Sequence, residues 1–164
     1  MRAQPTVTAL AAVALVFAVA SPRALAGEAL TAALASKIVD GCATHAKAKG
    51  QSHAIVVVDD GGHPVALLRM DGNPPGVGEF ALAKAEAVAH WHFATSEMAT
   101  SAKNTPGFAN APHVVTVAGG IPVWSADGKT FLGAVGVSGE AAADDESCAQ
   151  AGVKAAGLSL AHAK

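Results

Sequence analysis

The chain has 164 residues, with 11 basic and 13 acidic side chains, seven histidines and two cysteines. A mildly acidic balance without a basic run argues against a nucleic-acid partner, which requires a dense positive face. It offers no polybasic segment for membrane surfaces either.

The N-terminus reads as an export signal. Arg2 precedes an apolar run from Val7 to Ala20, the pair Ser21-Pro22 breaks it, and small residues stand at Ala24 and Ala26. Cleavage is expected after Ala26. The apolar run is 14 residues, short of the ~20 that cross a bilayer, so a signal is favoured over a membrane anchor. Residues 27–164 then form a single domain with one core. Removing Arg2 and Arg23 leaves nine basic against thirteen acidic groups, a formal charge of −4. The exported part is expected to be periplasmic or secreted, with no membrane span. In that compartment an even cysteine count suggests one disulfide between Cys42 and Cys148; on the residues alone, two buried thiols are the alternative.

Residues 28–49 predict a helix, because Leu30, Leu34, Ile38 and Cys42 recur in steps of four and His45 continues the stripe. Gly50 is its stop. Residues 54–58 and 65–70 predict two strands joined at Asp59-Asp60-Gly61-Gly62 as a hairpin. After the loop 71–76, residues 79–93 predict a second helix with Phe80, Ala83, Ala87, Val88 and Trp91 inward. Residues 95–104 form a short polar helix or loop. Three strands are expected at 113–117, 121–125 and 130–137, with Gly119-Gly120 and Asp127-Gly128 between them. A last helix is expected from about 141 to 161, with Asp144, Asp145 and Glu146 at its positive end. The pattern makes an α+β fold with a five-stranded, mainly antiparallel sheet covered by helices.

The segments VVDDGGHPVALLRMDG (57–72), ALAKAEA (81–87), Pro106-Gly107, GGIPV (119–123), GAVGVSG (133–139) and the DDE that follows cover nearly the whole exported part. In this order the chain resembles the GlcG/HbpS family of small haem-binding proteins, and it is similar to the C-terminal domain of PduO-type proteins. The resemblance implies a profilin-like α-β-α sandwich with the first and last helices on one face. That arrangement brings Cys42 near Cys148 and favours the disulfide. It also implies homo-oligomers with ligand pockets near subunit contacts, and haem as ligand.

Haem iron needs a nitrogen, sulfur or oxygen ligand, and the macrocycle needs apolar walls and cations at its propionates. His45, on the apolar stripe, is the first candidate for the iron and His113 the second. His90 and His92 flank Trp91 and point about 200° apart on a helix, so they cannot share one metal there. His53, His63 and His162 read as solvated. Arg69 and Lys84, inside matched segments, are the propionate candidates, and Trp91 and Phe80 could line a pocket. Zincin, nucleophile-elbow, phosphate-loop and CxxC signatures are missing. The expected function is therefore haem binding for scavenging, carriage or sensing. Tetrapyrrole degradation and binding of a non-haem small ligand are the alternatives.

Overall fold

The computed structural model describes Met1 and residues 29–163; the expected signal and its cleavage point lie outside the described residues. Helix α1 (Ala32–Lys49) starts four residues later than its pattern suggests, because Thr31 caps it by accepting the Leu34 amide at 3.2 Å. Gly50 ends it at φ 66°, a left-handed conformation that glycine adopts without strain.

Strands β1 (Ala54–Asp59) and β2 (Pro64–Arg69) form the expected hairpin. The Asp59 carboxylate closes its turn by accepting the amides of Gly61 at 3.0 Å and His63 at 2.8 Å. Strands β3 (Gly120–Trp124) and β4 (Phe131–Ser138) complete an antiparallel sheet of order β2-β1-β4-β3. The β-branched run of β1 lies inside this sheet and is buried through Val58, which explains a strand with no polar alternation.

The described sheet has four strands where the sequence predicts five. Residues 113–117 are irregular, and Val114 and Val115 pack half-buried against the core instead of pairing. β-propensity reflects a fit to a half-buried surface, which packing under a loop satisfies equally well. Pairing with β4 starts only at Gly119 and Gly120, where added side chains would strike Lys84 and Thr95.

Helix α2 (Pro75–Trp91) covers one face of the sheet; α1 and α4 (Ala142–Ala155) cover the other. α2 turns Ala81, Lys84, Ala85 and Val88 inward, whereas Phe80, expected inside, is 38% exposed. Helix α3 (Thr95–Asn104) and a 3-10 turn (Phe108–Asn110) lead toward β3. α4 stops six residues short of its expected end. Gly157 turns the chain at φ 75°, and Ser159 then pairs with Trp124 through two backbone bonds of 3.0 and 3.1 Å. Cys42 of α1 and Cys148 of α4 are joined by a disulfide, with their Cα atoms 4.7 Å apart.

Candidate functional site

Lys84, which the sequence offers as a propionate cation, is fully buried. Its Nζ donates to the Val137 carbonyl at 2.8 Å and to Asp145 Oδ2 at 3.0 Å, and sits 4.8 Å from the Phe80 ring centroid. Asp145 Oδ1 lies 3.1 Å from His53 Nδ1 and also accepts the Glu140 amide at 3.1 Å. Burial lowers the Lys84 pKa, and the Asp145 carboxylate works against that fall. His53 is 0% exposed, so the solvated position expected for it is corrected: the end of the hairpin is roofed by α4, and the imidazole pairs with the carboxylate that α4 brings in. Asp145 likewise does more than favour a helix start, since it ties α2, the residue preceding β1 and the turn after β4 together, and Lys84 extends the link to Val137 of β4. Among the described residues, no three histidine, cysteine, aspartate or glutamate side chains converge as a metal site.

A groove of about 390 Å³ opens at the end of the hairpin, lined by Lys47, Ser52, Leu68, Arg69, Met70 and Asp71. Hairpin register builds it. Ala54 pairs with Arg69, so two residues further out Ser52 meets Asp71, and its Oγ donates to the Asp71 carbonyl at 2.7 Å. Asn73 Nδ2 donates to Ser52 Oγ at 2.8 Å, and Arg69 donates to the Asn73 carbonyl, which holds the guanidinium at the rim. Met70 is anchored by its amide to the His53 carbonyl at 2.9 Å, and its sulfur accepts the His53 amide at 3.5 Å. The last turn of α1 contributes Lys47. The groove thus sets two cations and one aspartate, a net positive lining, beside Leu68 and a thioether. A hollow of about 450 Å³ on the outer seam of α1 and α4 is larger. Its Lys37 and Asp40 oppose each other in charge, however, and only Gly41, Ala155 and Thr44 complete the wall, so it suits an anionic, flat ligand less well.

Of the sequence-derived site residues, Arg69 lines this groove. His45 is half-buried on the α4 side of α1, with Nε2 3.2 Å from Ser147 Oγ; two residues along the helix, Lys47 points about 200° away from it. Trp91 closes the far end of α2, donating from Nε1 to the Pro112 carbonyl at 3.0 Å and packing edge-on against Phe108 at 5.2 Å. His113 is left-handed at φ 58° and stacks on His90 with ring centroids 3.9 Å apart. His92, the other left-handed non-glycine residue among the described residues, stacks on Phe131 at 4.1 Å. The structure therefore brings His113 to His90 and Lys84 to Asp145, and it places neither pair in the groove with Arg69. Sequence reasoning missed Lys47, Ser52, Met70 and Asp71. Counting outward along the hairpin from its turn would have found the last three; nothing in the sequence places Lys47 beside them.

A model of the HbpS-like family, described as "Haem degrading protein HbpS-like", matches residues 30–154. Protein GlcG of Escherichia coli strain K12 is 36% identical over 112 residues, covering 66% of this chain and 81% of that protein. The crystal structure of HbpS superimposes with a TM-score of 0.71 at 29% identity, covering 78% of this chain and 90% of that one. The crystal structure of a PduOC–haem complex shares the fold, with a TM-score of 0.75 at 23% identity over 82% of this chain and all of that one. With a family match that runs from the residue before the α1 cap to the last turn of α4, this chain belongs to the HbpS-like family.

Proposed function

We propose that this chain is an exported haem-binding protein that scavenges, carries or senses haem or a related tetrapyrrole. The observation that carries the reading is the groove, in which Lys47 and Arg69 stand beside Leu68 and Met70. Two cations match two propionates through charge-assisted hydrogen bonds, and a leucine and a thioether suit the edge of a macrocycle. Membership of a family whose description names haem supports the same ligand. Neither His45 nor His113 lines the groove, so within this reading the iron ligand is tested separately from the propionate cations, with His45 first and His113 second.

Titrating the protein with hemin should give a saturable shift of the Soret band. Replacing both Lys47 and Arg69 by Ala should weaken binding at least tenfold, since each charge-assisted bond contributes about 1.5–3 kcal/mol. His45→Ala and His113→Ala should be separated by the visible bands that report axial ligation. An unsaturable Soret response, or a double variant that binds as tightly as the parent, overturns the reading. The mass of the processed protein tests export: it should begin at Gly27.

The family's description favours a second reading, haem degradation. The redox chemistry would then be the haem's own, with the protein supplying binding and orientation. Haem with a reductant and oxygen should lose Soret absorbance faster with this protein than with albumin; equal rates leave binding alone.

A further inference from the structure

The hollow on the outer seam of α1 and α4 lies apart from the groove and shares no lining residue with it. It holds about 450 Å³ and is lined by Lys37, Asp40, Gly41 and Thr44 of α1 and by Ala155, the last residue of α4. Small residues create it. A Cβ on Gly41 would fall 2.5 Å from the Ala155 Cβ and 3.1 Å from the Gly152 Cα, so the helices touch here almost backbone to backbone. The floor is also fixed in place, because the next residue, Cys42, is bonded to Cys148 of α4.

The charges at its mouth are opposite in sign and do not neutralise each other. Lys37 and Asp40 stand three residues apart on α1, a spacing at which helical side chains are neighbours, about 5–6 Å apart at Cβ. Both are exposed, and among the described residues neither joins an ion pair. A lone anion drawn by Lys37 would be repelled by Asp40, and a lone cation would meet the reverse. Only a ligand that carries both charges is attracted by both side chains.

We infer that this hollow binds a small α-amino acid, with the ligand's carboxylate at Lys37 and its ammonium at Asp40. Both charged groups of such a ligand sit on one carbon, which suits a gap between side chains one helical turn apart. Thr44, one turn beyond Asp40, adds a hydroxyl that can accept from the ammonium. Gly41 and Ala155 keep the wall low and apolar, leaving room for a short aliphatic side chain. The disulfide already closes the seam, so little ordering is needed on binding. The exposed setting of the charges keeps the affinity in the millimolar range.

Titrating the haem-free protein with L-alanine, while following its backbone amide resonances, tests the site independently of any haem. The signals of Gly41, Thr44 and Ala155 should shift saturably, and those of Ser52 and Arg69 in the groove should stay still. Acetate and methylammonium, which carry one charge each, should not saturate the same signals in that range. Lys37→Gln and Asp40→Asn each remove one charge from an exposed position on α1. Each should weaken alanine binding roughly threefold or more, with an unchanged far-ultraviolet spectrum. The absence of a saturable shift at these three residues, acetate binding as tight as that of alanine, or an Asp40→Asn variant that binds alanine like the parent overturns the inference.

Discussion

The two faces of the sheet hold their helices by different means. Beneath α1 and α4 the space is filled by volume: Ile38, Val39, Leu132, Val135 and Val153 interlock, and the Cys42–Cys148 disulfide ties the two helices to each other. Beneath α2 the space is shallow. Its contacts are Ala81, Ala85 and Val88, and the helix backbone rides over Gly136, where an added Cβ would overlap the Ala81 carbonyl and lie 2.6 Å from the Ala85 nitrogen. Alanine and glycine contribute little apolar area each. The large side chain that α2 does turn fully inward is a lysine, and its charge is met by Asp145 and the Val137 carbonyl. One face is thus filled by side-chain volume, with close approach confined to the helix–helix contact at Gly41 and Gly152. The other depends on close approach and on a paired charge.

The largest expected effect falls on the first face. The disulfide spans 106 residues, and in the chain-entropy account a loop of that size is worth about 4–5 kcal/mol. The double variant Cys42→Ala/Cys148→Ala should lose roughly that amount in denaturant unfolding. A loss under about 1 kcal/mol would mean that packing alone secures α1 to α4, which would sharpen the contrast further.

Next comes the buried charge. Lys84→Met leaves Asp145 enclosed with only His53 and the Glu140 amide for partners, and removing one member of a buried pair costs about 3–5 kcal/mol. The retained His53 contact sets the expectation at the low end, near 3 kcal/mol by urea titration. If Lys84→Met is neutral, the pair is not what holds α2.

Gly136→Ala probes the shallow space directly. Overpacking costs about 1–3 kcal/mol, and because the obstacle here is backbone, the upper end is expected. Ala149→Val, which adds two carbons rather than one on the face filled by volume, should cost less. Equal losses would erase the distinction between the faces.

The smallest effect lies at the hairpin turn. Burial raises the Asp59 pKa, but the His63 and Gly61 amides and the His63 ring more than offset it and hold the carboxyl below its ordinary 3.8. With the folded pKa below the unfolded one, this contribution is complete above pH 3.8 and is lost as pH falls through the folded value. Asp59→Asn should therefore remove a small acid-limb decline in stability and leave the neutral range nearly flat. A variant whose acid limb matches the parent's would show that the turn is not held by this charge.

Local signals in the sequence were reliable where the cause was local. Gly50 ends α1 as expected, Asp59 to Gly62 form the β1–β2 turn, and the apolar runs of β1 and β4 became central strands. The signals failed where a partner distant in sequence decided the outcome. Val114 to Val117 carry strand-forming side chains yet find no strand to pair with. His53 looks like a polar residue before a strand, but α4 arrives from 92 positions away and buries it. At the groove, Arg69 stood out in a matched segment, while Ser52, Met70 and Asp71 required the register of the hairpin and Lys47 required the packing of α1 beside it.

By itself, then, the sequence determined the order of the helices and of four strands, the two sharp turns and the haem-related family, but not that residues 113–117 stay irregular, because periodicity, capping and glycine placement act within a few residues. Only the tertiary structure decided that Lys84 is an internal cation and that α4 ends early so that Ser159 can close one edge of the sheet. Those outcomes depend on which groups lose water together, and that is settled when the layers pack.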